Sequence, residues 1–201
     1  MGDIAVFDVG NVLVRWDPRN LFQKVFADPE RMDFFLSEVC SPEWNHAQDA
    51  GRMWAEAEAE AIARHPAFAR EVRLFRGRWH EMIDGPVEAN VRLLEGLRRR
   101  GVATFAITNF AADTFAETQE RYPFLKAFDG IVCSGLEKIC KPDPAIYRLL
   151  LDRYRLVAKD CVFIDDSAAN IAAAAALGFR TVHYGLGLDA AGAFAQLGLP
   201  V

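Results

Sequence analysis

The stretch "CVFIDDSAANIAAAAALGF", residues 161–179, passes from an apolar run through two consecutive carboxylates into an alanine-rich segment. Residues 161–165 show no polar alternation, which predicts a strand covered on both faces. Residues 167–179 predict a helix, with Ser167 available near its start and Gly178 near its end. A strand that delivers Asp165 and Asp166 into a following helix is half of a β-α unit. Repetition of that unit builds a parallel sheet.

Outward from this stretch the pattern recurs. "IAVFD" (4–8), "ATFAIT" (103–108), "GIVCS" (130–134) and "RTVHY" (180–184) are further short apolar runs. Between them, Pro86 is placed to open a helix carrying Val87, Val91 and Leu94 at helical spacing, with Gly101 to end it. "PDPAIYRLLLDRY" (142–154) puts Ile146, Leu149, Leu150 and Tyr154 on one face of another. The expected fold is α/β, a doubly wound parallel sheet of Rossmann-like type. Residues 17–84 break the rhythm, with helical signals and no convincing strand. Their clearest helix, "GRMWAEAEAEAIARHP" (51–66), is stopped by Pro66. The expected organisation is a core made of residues 1–16 and 85–201, with a small α-helical insertion, 17–84, after the first strand.

A chain of 201 residues, 52% hydrophobic and 25% charged, can bury a full core. Its net charge of -5 gives no electrostatic reason to bind nucleic acid or an anionic membrane. No apolar stretch is long enough to span a bilayer. Cys40, Cys133, Cys140 and Cys161 show no metal-type pairing and read as reduced core residues of a cytoplasmic protein. The oligomeric state is not legible.

Four of the predicted strands end in polar residues: Asp8, then Thr108 and Asn109, then Ser134, then Asp165 and Asp166. The carboxyl ends of parallel strands share one edge, beside which ligands bind. Asp8 near Asp165 and Asp166 places like charges together, which calls for a cation. Oxygen donors without His or Cys favour Mg²⁺, held by one or two carboxylates and a substrate phosphate. A carboxylate beside Mg²⁺ can attack phosphorus and form an acyl phosphate. Lys141 supplies a fixed cation, Thr108 a hydroxyl and Asn109 an amide for the transferring group. The expected partner is a small phosphorylated metabolite.

"FDVGNVL", "ITNF", "KPDPAIY" and "FIDDSAANIAAAAALG" also stand in the order and spacing of the four motifs of the haloacid dehalogenase-like hydrolase superfamily, which the chain resembles over nearly its whole length. The helical insertion is similar to that family's small cap. The resemblance implies that Asp8 is nucleophile and metal ligand, that Thr108 and Asn109 hold phosphate, and that Lys141, rather than Lys138, orients Asp8 and the phosphate. It makes Asp166, assisted by Asp165, the acidic metal site, with the Gly10 carbonyl as a further ligand.

Gly10 departs from the pattern. Phosphatases of this superfamily usually carry a second Asp there, which protonates the leaving oxygen and then activates water. Glycine keeps the carbonyl and loses the proton carrier, whose help is typically worth ~10²- to 10⁴-fold. The 2-haloacid dehalogenases also lack that Asp but typically have serine and asparagine where this chain has its acidic pair. The first motif is similar to a branch of sugar-phosphate phosphatases that includes an α-D-glucose-1-phosphate phosphatase, which implies a sugar-phosphate substrate. A hydrolytic dehalogenase and a non-catalytic phosphate-binding relative are the alternatives. Trp44, Trp54 and Trp79 are expected to pack in a core, and no spacing singles out His46, His65 or His80 to replace the missing acid.

Overall fold

The computed structural model describes residues 3–185 and 187–201. The first strand, β1 (Ile4–Phe7), is followed by a short strand β2 (Val14–Trp16). Five helices then run in succession: α1 (Arg19–Phe22), α2 (Pro29–Phe34), α3 (Pro42–Asp49), α4 (Trp54–Arg64) and α5 (Ala69–Gly77). Strand β3 (Ile83–Pro86) returns to pair antiparallel with β2, so a two-stranded ribbon marks both ends of the helical insert. The rest alternates: α6 (Glu88–Arg99), β4 (Ala103–Thr108), α7 (Ala112–Arg121), β5 (Gly130–Cys133), α8 (Ser134–Glu137), α9 (Pro144–Tyr154), β6 (Cys161–Asp165), α10 (Ala168–Ala176), β7 (Arg180–His183) and α11 (Ala190–Gln196).

Five strands form one sheet in the order β5-β4-β1-β6-β7, every pair parallel. Strand pleating divides each strand between two faces. Ile4, Val6, Phe105, Ile107 and Phe163 pack with Ile146, Tyr147 and Leu150 of α9 on one face. Ala5, Phe7, Ala106, Val162 and Ile164 join Leu94, Leu97 and Phe194 on the other, in a cluster that continues into the insert through Phe22, Phe35, Trp44, Phe75 and Trp79. Both faces are covered by helices, which explains the unbroken apolar runs.

Two expectations are corrected. Residues 17–84 do contain strand, since β3 begins at Ile83, and Pro86 ends that strand opposite Val14 instead of opening a helix. Pro86 has no N–H to offer a ladder, which a two-stranded ribbon tolerates. Helix α6 starts at Glu88, and Gly101 follows it at φ +77°, a left-handed turn that glycine adopts without strain. Helix α4 ends at Arg64, two residues before Pro66. Ser167 occupies the N-cap of α10, yet its side chain caps nothing there. Among the described residues no helix is long and apolar enough to cross a membrane.

Candidate active site

Strands β1, β4 and β6 lie side by side, so the residues just beyond their carboxyl ends meet. Lys141, in the loop between α8 and α9, joins them with its side chain almost fully buried. Its Nζ lies 2.8 Å from Asp8 Oδ1 and 2.6 Å from Asp165 Oδ2. The backbone N–H of Val9 donates to the same Asp8 Oδ1 at 2.7 Å. Both donors therefore engage one oxygen of Asp8 and leave Oδ2 for other chemistry.

Asp165 is fully wired. Its Oδ1 accepts from Ser167 N at 2.7 Å and from Asn170 Nδ2 at 3.0 Å, and the same amide reaches Oδ2 at 3.1 Å. This carboxylate thus fixes the backbone that enters α10 while it also holds Lys141. Asn109 is engaged as well. Its Oδ1 accepts from Lys141 N at 2.8 Å and its Nδ2 donates to Lys141 O at 2.9 Å, a closed pair that fixes the lysine's backbone. Thr108 is fully buried, its hydroxyl has no partner, and it lies behind the residues that line the cavity. Asp166 is exposed, and its carbonyl lies 3.0 Å from His183 Nε2. Asn11 faces the Asp166 carboxylate from the β1 loop, where it sits at φ +54°, a left-handed conformation that Asn tolerates.

Asp8, Asp165 and Asp166 each present an oxygen within 4.8 Å of the others. Three carboxylates against the single Lys141 ammonium leave two negative charges. Burial pushes the Asp8 carboxyl up to about 7, with Lys141 opposing and Asp165 and Asp166 adding to the rise. Burial and Asp165 also raise Asp166. Burial works against the Lys141 ammonium, but Asp8 and Asp165 outweigh it and raise its pKa. The donor set is all oxygen and its surplus charge matches a divalent cation. A hard ion such as Mg²⁺ fits these residues.

A cavity of about 390 Å³ opens above this group. Its floor is Asp8, Gly10, Asn109, Lys141 and Asp166, and its walls include Trp16, Leu36, Phe75, Trp79 and Phe110. Trp44, Trp54, Phe75 and Trp79 pack edge to face and tilted at centroid separations of 5.2 to 6.3 Å. The expected packing of the tryptophans is observed, and Trp79 serves the cavity as well. The insert is tied to the core beside it. Ser134 Oγ accepts from Phe110 N at 2.9 Å and donates to the Asp49 carbonyl at 2.6 Å. Trp54 Nε1 and Arg76 Nε both reach Asp113 of α7, at 3.1 and 2.9 Å.

Asn11, Asn170, Asn45 and Asp49 were not singled out by sequence reasoning. Asn11 carried a signal, because a Gly-Asn turn after a strand-end carboxylate favours a left-handed residue. Asn170 sits one helical turn past Ser167, on the face that looks back at the acidic pair. Asn45 and Asp49 read only as the polar side of a helix.

A family model described as haloacid dehalogenase-like hydrolase matches residues 3–178. The sesquiterpene phosphatase astK of Aspergillus oryzae is 36% identical over 185 residues, covering 89% of this chain and 88% of that protein. Among solved structures, the HAD family enzyme BT-2542 of Bacteroides thetaiotaomicron, in complex with magnesium and inorganic phosphate, superposes with a TM-score of 0.71 at 20% identity, covering 96% of this chain and all of that one. The L-2-haloacid dehalogenase of Xanthobacter autotrophicus, with chloropropionic acid covalently bound, gives a TM-score of 0.64 at 15% identity over all of this chain and 85% of that one. At such identities the two structures show the shared fold.

Proposed function

The chain belongs to the haloacid dehalogenase-like hydrolase family and is a hydrolase, and on that premise we propose that it is a Mg²⁺-dependent phosphomonoesterase working through an aspartyl-phosphate at Asp8. The observation that carries the reading is Asp8 itself: a buried carboxylate with one oxygen held by Lys141 and Val9 N, the other unengaged, on the floor of a cavity.

In this reading Asp8 Oδ2 attacks phosphorus and the ester oxygen departs; water then attacks the aspartyl-phosphate and frees inorganic phosphate. Lys141 holds Asp8 in its attacking rotamer and offsets charge on the phosphoryl oxygens. The amide of Asn109 is a positioning group for Lys141, and Thr108, fully buried and outside the cavity lining, is left without a part in this step. Asp8, Asp166 and the Gly10 carbonyl would hold Mg²⁺, and Asp165 orients the group from behind. Bound there, Mg²⁺ supplies neutralising charge to the phosphoryl group. The acidic pair favours this chemistry over hydrolytic dehalogenation.

The first motif supports a sugar phosphate. The cavity walls support a different leaving group: beside polar residues such as Ser41, Asn45 and His46, Trp16, Leu36, Phe75, Trp79 and Phe110 offer a broad apolar surface. The phosphate ester of an apolar alcohol, of the isoprenoid size implied by the name of the sesquiterpene phosphatase relative, suits them better. Phosphate release from an isoprenoid monophosphate, from glucose 1-phosphate and from inorganic controls, with Mg²⁺ or chelator, tests both parts. Mg²⁺-dependent release that is fastest from the isoprenoid ester is expected. Chloride release from 2-chloropropionate without metal would sink the phosphatase reading.

A further inference from the structure

An ester of an ordinary alcohol expels an alkoxide, which needs a proton as the P–O bond breaks. Gly10 has no side chain to provide one. Asp8 is the attacking group, Lys141 is held between Asp8 and Asp165, and Asp166 belongs to the metal cluster. Three other ionisable side chains line the cavity: Cys40, His46 and Asp49, all from the insert. The Cys40 thiol is pushed far up by burial and does not serve. His46 is exposed, while Asp49 is buried.

We propose that Asp49, at the end of α3, is the general acid and base of this site, so that the proton carrier comes from the helical insert and the nucleophile from the core. The assignment rests on the phosphatase reading of Asp8. Asp49 is positioned from both sides of the cavity. Asn45 Nδ2 reaches its Oδ2 at 3.3 Å, Ser134 Oγ anchors its carbonyl at 2.6 Å, and the Ala111 N–H at the start of α7 faces its carboxyl. Among the described residues it has no cationic partner. The ionisable groups around it are the Cys133 and Cys140 thiols from the core and His46 on its own helix; Lys138 lays its aliphatic stem against Gly51. Burial pushes the carboxyl up to about 7, with the Ala111 N–H opposing. A large fraction of Asp49 therefore carries a proton near neutral pH.

The step balances. As the Asp8 Oδ2–P bond forms and the P–O bond to the alcohol breaks, the Asp49 proton passes to the departing oxygen and leaves Asp49 as a carboxylate. Water then attacks phosphorus and gives a proton to Asp49 as the Asp8–P bond breaks. Phosphate leaves, and both carboxyls return to their starting states.

The test measures kcat/KM with Mg²⁺ from about pH 5 to about pH 9 for a primary alkyl phosphate and for 2,4-dinitrophenyl phosphate, whose phenolate leaves without a proton. The alkyl-to-aryl ratio cancels titrations that both substrates share. Asp49→Asn should lower that ratio by ~10²- to 10⁴-fold while the aryl ester still turns over. In the wild type the ratio should fall as pH rises past about 7, and in Asp49→Asn it should be flat. Gly10→Asp in the Asp49→Asn background should recover part of the loss, since a Cβ at Gly10 meets no heavy atom within 4 Å. An unchanged ratio, an equal loss on both esters with a native circular dichroism spectrum, or selective loss in His46→Gln instead would overturn the assignment. If Asp49→Asn does not fold, a wild-type ratio that is flat with pH overturns it alone. A wild type that hydrolyses neither ester removes the phosphatase reading, and Asp49 with it.

Discussion

The floor and the walls of the cavity hold together by different physics. On and just beneath the floor, Asp8, Lys141, Asp165 and Asn109 are joined by directional bonds of 2.6 to 2.9 Å. Each group's position depends on the others, and removing the Lys141 cation strands buried carboxylates. The walls, from the insert, β2 and the loop after β4, are aromatic and aliphatic surface packed without direction. Such surface accepts a change of shape at modest cost. The chemistry is thus fixed where the strands end, and selectivity resides where the packing can change. Asp49 is the exception, a buried carboxyl in the apolar half.

Substitutions should expose that contrast, and the largest effect belongs to the floor. Asp8→Asn keeps the shape and removes the nucleophile, so phosphate release should fall by more than about 10⁴-fold with little change in fold. A steady-state assay beside a circular dichroism spectrum checks it; near-normal turnover would dissolve the distinction between floor and wall.

Lys141→Met comes next. It leaves Asp8 and Asp165 facing one another without a cation, and breaking a buried pair in this way costs about 3–5 kcal/mol. Urea denaturation should show a loss of that order in chelator and a partial recovery with Mg²⁺. A loss no larger than for an exposed lysine would mean that the floor is less interlocked than its distances imply.

Asp49 predicts a pH effect on stability. Its folded pKa, about 7, lies above its ordinary value of 3.8, so between those limits the folded chain binds more protons than the unfolded one. Stability therefore falls as pH rises through that window, and the protonated form is the favoured one. Asp49→Asn should flatten its share of the slope in thermal unfolding across about pH 5 to pH 7. A slope unchanged by the substitution would place Asp49 outside the buried set.

The smallest effect belongs to a wall. Trp79→Leu keeps an apolar surface and should lower kcat/KM for an isoprenoid phosphate by roughly tenfold, as expected for lost apolar contact. Glucose 1-phosphate should change much less. Equal losses on the two substrates would show that Trp79 supports the fold and does not select a leaving group.

How far this was legible in the sequence follows the same division. The five sheet strands stood out because helices cover both faces and the runs are unbroken in hydrophobicity. The ribbon strands did not: β2 and β3 have three and four residues, and "IDGP" has the composition of a turn. Asp8, Asp165 and Asp166 were readable because strand order brings distant carboxyl ends to one edge, and Lys141 because "KPDPAIY" sets a lysine just before a helix. Their internal wiring was not. That Asn109 binds the backbone of Lys141, and that Asp165 is saturated by Ser167 and Asn170, depends on rotamers that no spacing encodes. Asp49 stayed hidden because "NHAQDAG" looks like a solvated helix face, and its burial arises only when Ser134 and Ala111 close against it.

The most direct test of the central claim is an acid quench during turnover of a phosphoryl-labelled ester with Mg²⁺, with the label located by peptide mass spectrometry. The account predicts label on the peptide containing Asp8, absent when Mg²⁺ is chelated and absent in Asp8→Asn. Sustained phosphate release with no label on Asp8, or release that survives Asp8→Asn, would contradict it.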